Sequence, residues 1–103
     1  MDMVQIEGTL PVAIKKMVGQ KTITTKKVVI RQQTTGEYFK TQSQAQPDQY
    51  IAICDLAGMV KLVDDEGKEH DVTYDMILHT SRNNFNYLSE LKNGLDAKEQ
   101  AES

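Results

Sequence analysis

The sequence predicts an α+β domain: an N-terminal antiparallel β-hairpin, then about three helices, with a short second hairpin before the last of them. Three observations carry that expectation. Leu10, Val12 and Ile14 alternate with Pro11, Ala13 and Lys15, the period-two pattern of a half-buried strand. Thr22 to Arg31 is dense in β-branched residues and follows a Val18-Gly19-Gln20-Lys21 turn. Farther along, Ile77, Leu78, Ser81, Phe85, Leu88 and Leu91 recur at helical spacing.

Each element has a local reason. Pro11 has no N–H to give a ladder, so the first strand belongs at a sheet edge. In the second strand, Ile23, Thr25, Lys27 and Val29 share one face, while Thr24, Lys26, Val28 and Ile30 share the other. A first helix is expected to open at Thr34-Thr35, with Thr35 as its N-cap and Glu37 in the first turn, where the helix dipole favours a carboxylate. Tyr38 and Phe39 are expected to anchor this helix to the hairpin. Thr41 to Pro47 is polar and ends in proline, so it reads as a loop or a fraying helix end. Asp48 then suits the N-cap of a second helix, on which Tyr50, Ile53, Cys54 and Ala57 form an apolar stripe that Gly58 closes.

Val60 to Val63 and Lys68 to Val72 flank Asp64-Asp65-Glu66-Gly67, the pattern of a second hairpin with Gly67 in the left-handed position. The longest helix is expected to begin at Thr73, with Val72 and Ile77 at the spacing of a hydrophobic staple. Lys92 and Gly94 are ordinary stop signals. Residues 1–95 therefore form one α+β domain, and residues 96–103 form a mobile C-terminal tail with nothing to bury.

Composition limits what such a domain does. With 103 residues there is room for one core, and 39% hydrophobic residues, 6% aromatic and no Trp make it a lean one. Mean hydropathy is −0.51, and no run approaches the roughly 18 apolar residues of a membrane span. No basic-then-apolar start resembles a signal peptide, and the single cysteine, Cys54, cannot form an internal disulfide. A cytoplasmic location is expected. The net charge of −3 conceals a gradient, +4 through Pro47 and −7 from Asp48 onward. Such a dipolar layout steers partners and allows self-association.

Candidate chemistry is sparse. Asp64, Asp65, Glu66, Glu69 and Asp71 surround Gly67 and His70, but they lack the alternating ligand order of a calcium loop. Consecutive carboxylates on an extended hairpin point to opposite faces. His70, His79 and Cys54 hold no recognised zinc spacing, and Cys54 on an apolar stripe is poorly placed to become a thiolate. No glycine-rich phosphate loop occurs, the six glycines being scattered singly. Lys15, Lys16, Lys26, Lys27 and Arg31 make a basic ribbon, yet the isoelectric point near 5.3 and the lack of interleaved aromatics argue against nucleic acid. Neither enzyme, metal, cofactor nor membrane is expected. What remains is a binding surface, and the stripe of the last helix around Phe85, Leu88 and Leu91 is its expected contact set.

Two segments carry a family resemblance. Thr9-Leu10-Pro11-Val12 leads into a hairpin ending Lys27-Val28-Val29-Ile30-Arg31-Gln32-Gln33-Thr34-Thr35-Gly36-Glu37. This resembles the strand, Arg, short spacer, Thr and helix opening of tail assembly chaperones from contractile-tailed phages of the Mu type. Leu56-Ala57-Gly58, Val72-Thr73-Tyr74-Asp75-Met76-Ile77 and Asn84 to Leu91 resemble that family's later helices. The sequence departs from the pattern at Gln32-Gln33 and in the Leu62 to Val72 hairpin. The resemblance implies a cytoplasmic prophage or phage factor, absent from the mature virion, that binds the tape-measure protein and helps recruit tail-tube subunits. The alternative is a small structural tail or head-completion protein retained in the virion.

Overall fold

A computed structural model describes residues 4–102. Residues 1–3 and Ser103, the extremities of the expected domain and tail, lie outside the described residues. The chain runs β1 (Gln5–Val18), β2 (Lys21–Arg31), α1 (Thr35–Ser43), α2 (Ile51–Met59), β3 (Val60–Val63), β4 (Glu69–Asp71), α3 (Tyr74–Leu78) and α4 (Arg82–Glu102). The strands form one antiparallel sheet in the order β1-β2-β3-β4. Both expected hairpins are present and the fold class is α+β.

Register explains how the sheet acquires one greasy face. Ile6, Ile30 and Val60 stand in one row, and Gly8, Val28, Leu62 and His70 in the next but one. The apolar members of these rows join Ile53, Leu56, Met59, Ile77, Leu88 and Leu95 from the helices in a single core. The alternate row, Glu7, Val29, Lys61 and Asp71, points away from it. Val29 is nevertheless buried at 3% exposure. The same face carries the bidentate Arg31–Glu69 pair at 2.5 Å and a Lys61–Asp71 ion pair.

β1 is an edge strand, as Pro11 requires, and Pro11 lies in a break in the ladder. Between the pairs Thr9–Lys27 and Ile14–Thr25, β1 has four residues, Leu10 to Ala13, where β2 has only Lys26. The strand starts at Gln5, earlier than the alternation at Leu10 suggested, because Ile6 and Gly8 continue the inward pattern. Gly19, at φ 63°, makes the tight β1–β2 turn, and Gly67, at φ 81°, makes the β3–β4 turn.

Several helix boundaries differ from expectation. Thr34, not Thr35, caps α1: its Oγ1 accepts from the Glu37 N–H at 3.1 Å, while Glu37 Oε1 accepts from the Thr34 N–H at 2.9 Å. This is a capping box at Thr34-Thr35-Gly36-Glu37, and the helix then continues past Thr41 to Ser43. Tyr50, rather than Asp48, precedes α2 and makes no side-chain cap. Gly58 lies inside α2, where its missing Cβ makes room for Gln33 and Thr41; a Cβ there would approach Gln33 Nε2 to 2.6 Å.

The expected long helix from Thr73 is two helices. Thr73 Oγ1 accepts from the Met76 N–H and starts α3, but Ser81 Oγ accepts from the Asn84 N–H at 3.1 Å and starts α4 afresh. Gly94 does not stop α4. Leu95 is fully buried, and beyond it Asp96 accepts from Gln32 Nε2 at 2.8 Å while Lys98 donates to the Gln5 carbonyl at 3.1 Å. The residues expected as a tail therefore continue the helix to Glu102.

Candidate functional site

α1 is the least embedded element of the fold. A helix of nine residues is marginal by itself in water, and this one buries none of its side chains. The capping box and its packing against α2 hold it in place. Its sequence explains the exposure: Tyr38 and Phe39 are consecutive, roughly 100° apart around the axis, and the next turn offers Gln42 and Ser43 instead of apolar partners. No stripe exists to be buried.

The two aromatics consequently do not anchor α1 to the hairpin. Tyr38 is 39% exposed and Phe39 63%, their rings meeting edge to face at a centroid distance of 5.5 Å. Beside them opens a groove of about 340 Å³ whose floor and walls include Gln33, Asp55, Met59, Lys92 and Glu99. Lys92 Nζ sits 3.7 Å from Asp55 and 3.8 Å from Asp96, so the groove's one cation is shared between two carboxylates. Gln33 is tied to Thr41 Oγ1 at 3.3 Å, and Thr41 donates to the Glu37 carbonyl at 3.0 Å. The Thr34 N–H and hydroxyl hold the Glu37 carboxyl below its ordinary range.

At the start of α2, Tyr50 and Ile51 are also uncovered, 66% and 63% exposed. The Tyr50 N–H donates to Tyr74 Oη at 2.9 Å, which fixes this end of α2 to α3. The helical layer thus shows two pairs of adjacent large apolar side chains to the outside.

The contact set expected from the sequence is placed differently. Leu88 is 1% exposed, in the centre of the core, and has no surface to offer. Phe85 and Leu91 are half-buried and pack against that core. Leu78, on α3, is the stripe member that faces out, at 40%. The stripe is internal because α4 lies along β1 and β2, where Leu88 and Leu95 close over Leu10, Val28 and Ile30.

The groups with reactive potential are dispersed. Cys54 is buried on α2, its Sγ 3.7 Å from Gln49 Oε1. His70 Nε2 lies 2.8 Å from Asp64 Oδ2, and Asp64 Oδ1 accepts from the backbone N–H groups of Glu66 and Lys68 at 2.9 Å. That carboxylate's pKa is lowered, chiefly by the His70 hydrogen bond and then by the Lys68 N–H. It shapes the β3–β4 turn. His79 follows α3 at its exposed end. Among the described residues no group of three or more His, Cys, Asp or Glu is disposed to hold a metal ion. No helix among them is long and apolar enough to cross a membrane.

Comparison with protein-family models, with curated proteins and with solved structures finds no match.

Proposed function

We propose that this chain is a non-catalytic polypeptide-binding protein, a phage tail assembly chaperone that holds the tape-measure protein and helps recruit tail-tube subunits around it. The observation that carries the reading is α1, a helix with every side chain at least partly open and two adjacent aromatics beside a groove. Aromatic residues supply large contact area at little conformational cost, which suits a surface that grips many similar amphipathic segments in turn. Modest affinity repeated along a long helical client keeps the client's apolar stripes apart and still permits displacement by tube subunits. The sequence resemblance supplies the identity of the client, and the exposed pairs Tyr38–Phe39 and Tyr50–Ile51 supply a physical means of holding it.

The test is co-production with the tape-measure protein of the same phage. A Tyr38→Ser, Phe39→Ser double variant should lose the tape-measure protein on purification while its circular dichroism stays unchanged. Undiminished capture would remove α1 as the grip. Mass spectrometry of purified particles separates the chaperone from a virion-retained structural protein: the chaperone is missing from them.

A further inference from the structure

The outer edge of β1 is capped at points along its first half and uncapped along its second. From Gln5 to Val12, side chains of α4 take four of its backbone groups. Lys98 donates to the Gln5 carbonyl at 3.1 Å, Tyr87 Oη accepts from the Thr9 N–H at 2.9 Å, and Asn84 bonds both backbone groups of Val12. From Ile14 to Val18 the strand pairs with β2 alone, and among the described residues nothing bonds its other side. Alternate residues of such an edge turn their N–H and C=O groups outward, a template for one more strand.

The hairpin that carries this open half is itself basic, and the acidic β3–β4 turn meets only its tip, where Asp64, Asp65 and Glu66 line a groove with Val18 and Lys21. From Gly8 to Gly36 the chain has no Asp or Glu. Arg31 is held by Glu69, and Lys16 reaches the Asp71 carbonyl. Lys15, Lys21, Lys26 and Lys27 make no ion pair among the described residues, and all four are exposed. Next to them Met17 is 70% exposed, with Thr22 as its cross-strand neighbour, and Lys15 stands opposite Thr24.

We infer that the Ile14–Val18 edge of β1 takes up an extended acidic segment of a partner protein as a fifth strand. The backbone edge supplies the ladder, and the unpaired lysines supply the preference for carboxylates. Charge selects this occupant over a second copy of the chain, since antiparallel pairing of two β1 edges would set Lys15 and Lys16 against the same lysines. It is selected over nucleic acid because β1 and β2 carry no aromatic side chain on which a base can stack, and the chain as a whole is acidic. This surface lies on the hairpin, apart from α1, so the inference stands or falls independently of the chaperone reading.

The experiment uses the full chain and three fluorescent probes at low and moderate salt. One is a short peptide alternating glutamate with valine, the second has the same charge but is interrupted by prolines, and the third is an oligothymidine. The alternating peptide should bind best and should slow amide hydrogen exchange within Ile14–Val18. A Lys15→Glu, Lys26→Glu variant should weaken it roughly tenfold. Equal binding of the proline-interrupted peptide, tighter binding of the oligothymidine, or absence of exchange protection in that stretch would each overturn the inference.

Discussion

Asn84, on the first turn of α4, satisfies both backbone groups of Val12 at the break in β1: its Nδ2 donates to the Val12 carbonyl at 2.9 Å and its Oδ1 accepts from the Val12 N–H at 3.0 Å. A third bond, Nδ2 to Thr80 Oγ1 at 2.9 Å, fixes the amide's orientation. Fully buried, this side chain stands in for a neighbouring strand where β1 leaves its ladder with β2.

Replacing Asn84 by Leu keeps the volume and removes all of these bonds. The loss should be about 1–3 kcal/mol, the cost of stranding partly buried backbone groups, read from urea denaturation. Asn84→Asp should be worse at pH 7, because one carboxylate oxygen would then face the Val12 carbonyl and the charge would be buried. Its deficit relative to the parent should shrink as the pH falls and the carboxyl takes up a proton.

Gly8 permits α4 to approach β1 closely. A Cβ at this position would lie 2.5 Å from Tyr87 Oη and 2.9 Å from Leu91 Cδ1. Gly8→Ala should therefore push Tyr87 away from the Thr9 N–H and cost about 1–3 kcal/mol. Tyr87→Phe removes the clashing hydroxyl, so the double variant should lose less than the sum of the single ones. A simple additive result in thermal denaturation would show that the two positions do not meet.

Acid should loosen the second hairpin first. The carboxyl pKa values of Asp64, Glu69 and Asp71 are lowered, chiefly by hydrogen bonds from His70, Arg31 and Lys61 respectively. A folded-state pKa below the unfolded one means that the unfolded chain binds more protons in the interval between them. The stabilisation is thus complete above the ordinary carboxylate range and disappears as the pH drops through the folded values, below about pH 4. Amide exchange across Val60–Asp71 should accelerate there. Glu69→Gln should flatten part of the dependence.

Core and surface apolar side chains should part company in stability measurements. Phe39→Ser should change unfolding free energy by no more than about 0.5 kcal/mol, as for an exposed side chain. Leu88→Ala, by contrast, should cost about 2–5 kcal/mol. A large loss at Phe39 would mean that α1 is packed more tightly than its exposure implies.

What the sequence disclosed was governed by distance along the chain. The two hairpins, their glycine turns, the edge position of Pro11 and the core placement of Cys54 and Ile77 follow from periods and turn chemistry within a few residues. The break between α3 and α4 was equally local, a second cap at Ser81, but a continuous apolar stripe from Ile77 to Leu91 masked it. The capping box was written in Thr34 and Glu37 and was displaced by one residue because Thr35 is also an acceptable cap. By contrast, Asn84 meets Val12 across 72 residues, and no pattern in either segment announces the pairing. Leu88 and Leu91 illustrate the same limit: helical spacing identifies an apolar face without saying what lies against it. The exposure of Tyr38 and Phe39 was legible in principle, since no apolar residue follows a turn later to extend them into a stripe.

The clamp of α4 on β1 also sets an order of events during synthesis. Tyr87 and Lys98 reach Thr9 and Gln5 across separations of 78 and 93 residues. The β1–β2 ribbon emerges from the ribosome long before them, at roughly 5–20 residues per second. For those seconds its entire outer border is bare, and Asn84, Tyr87 and Lys98 arrive together as the closing latch. A nascent chain truncated before Arg82 should accordingly clump through its first strand, whereas in the finished one these three side chains cap that border at Gln5, Thr9 and Val12.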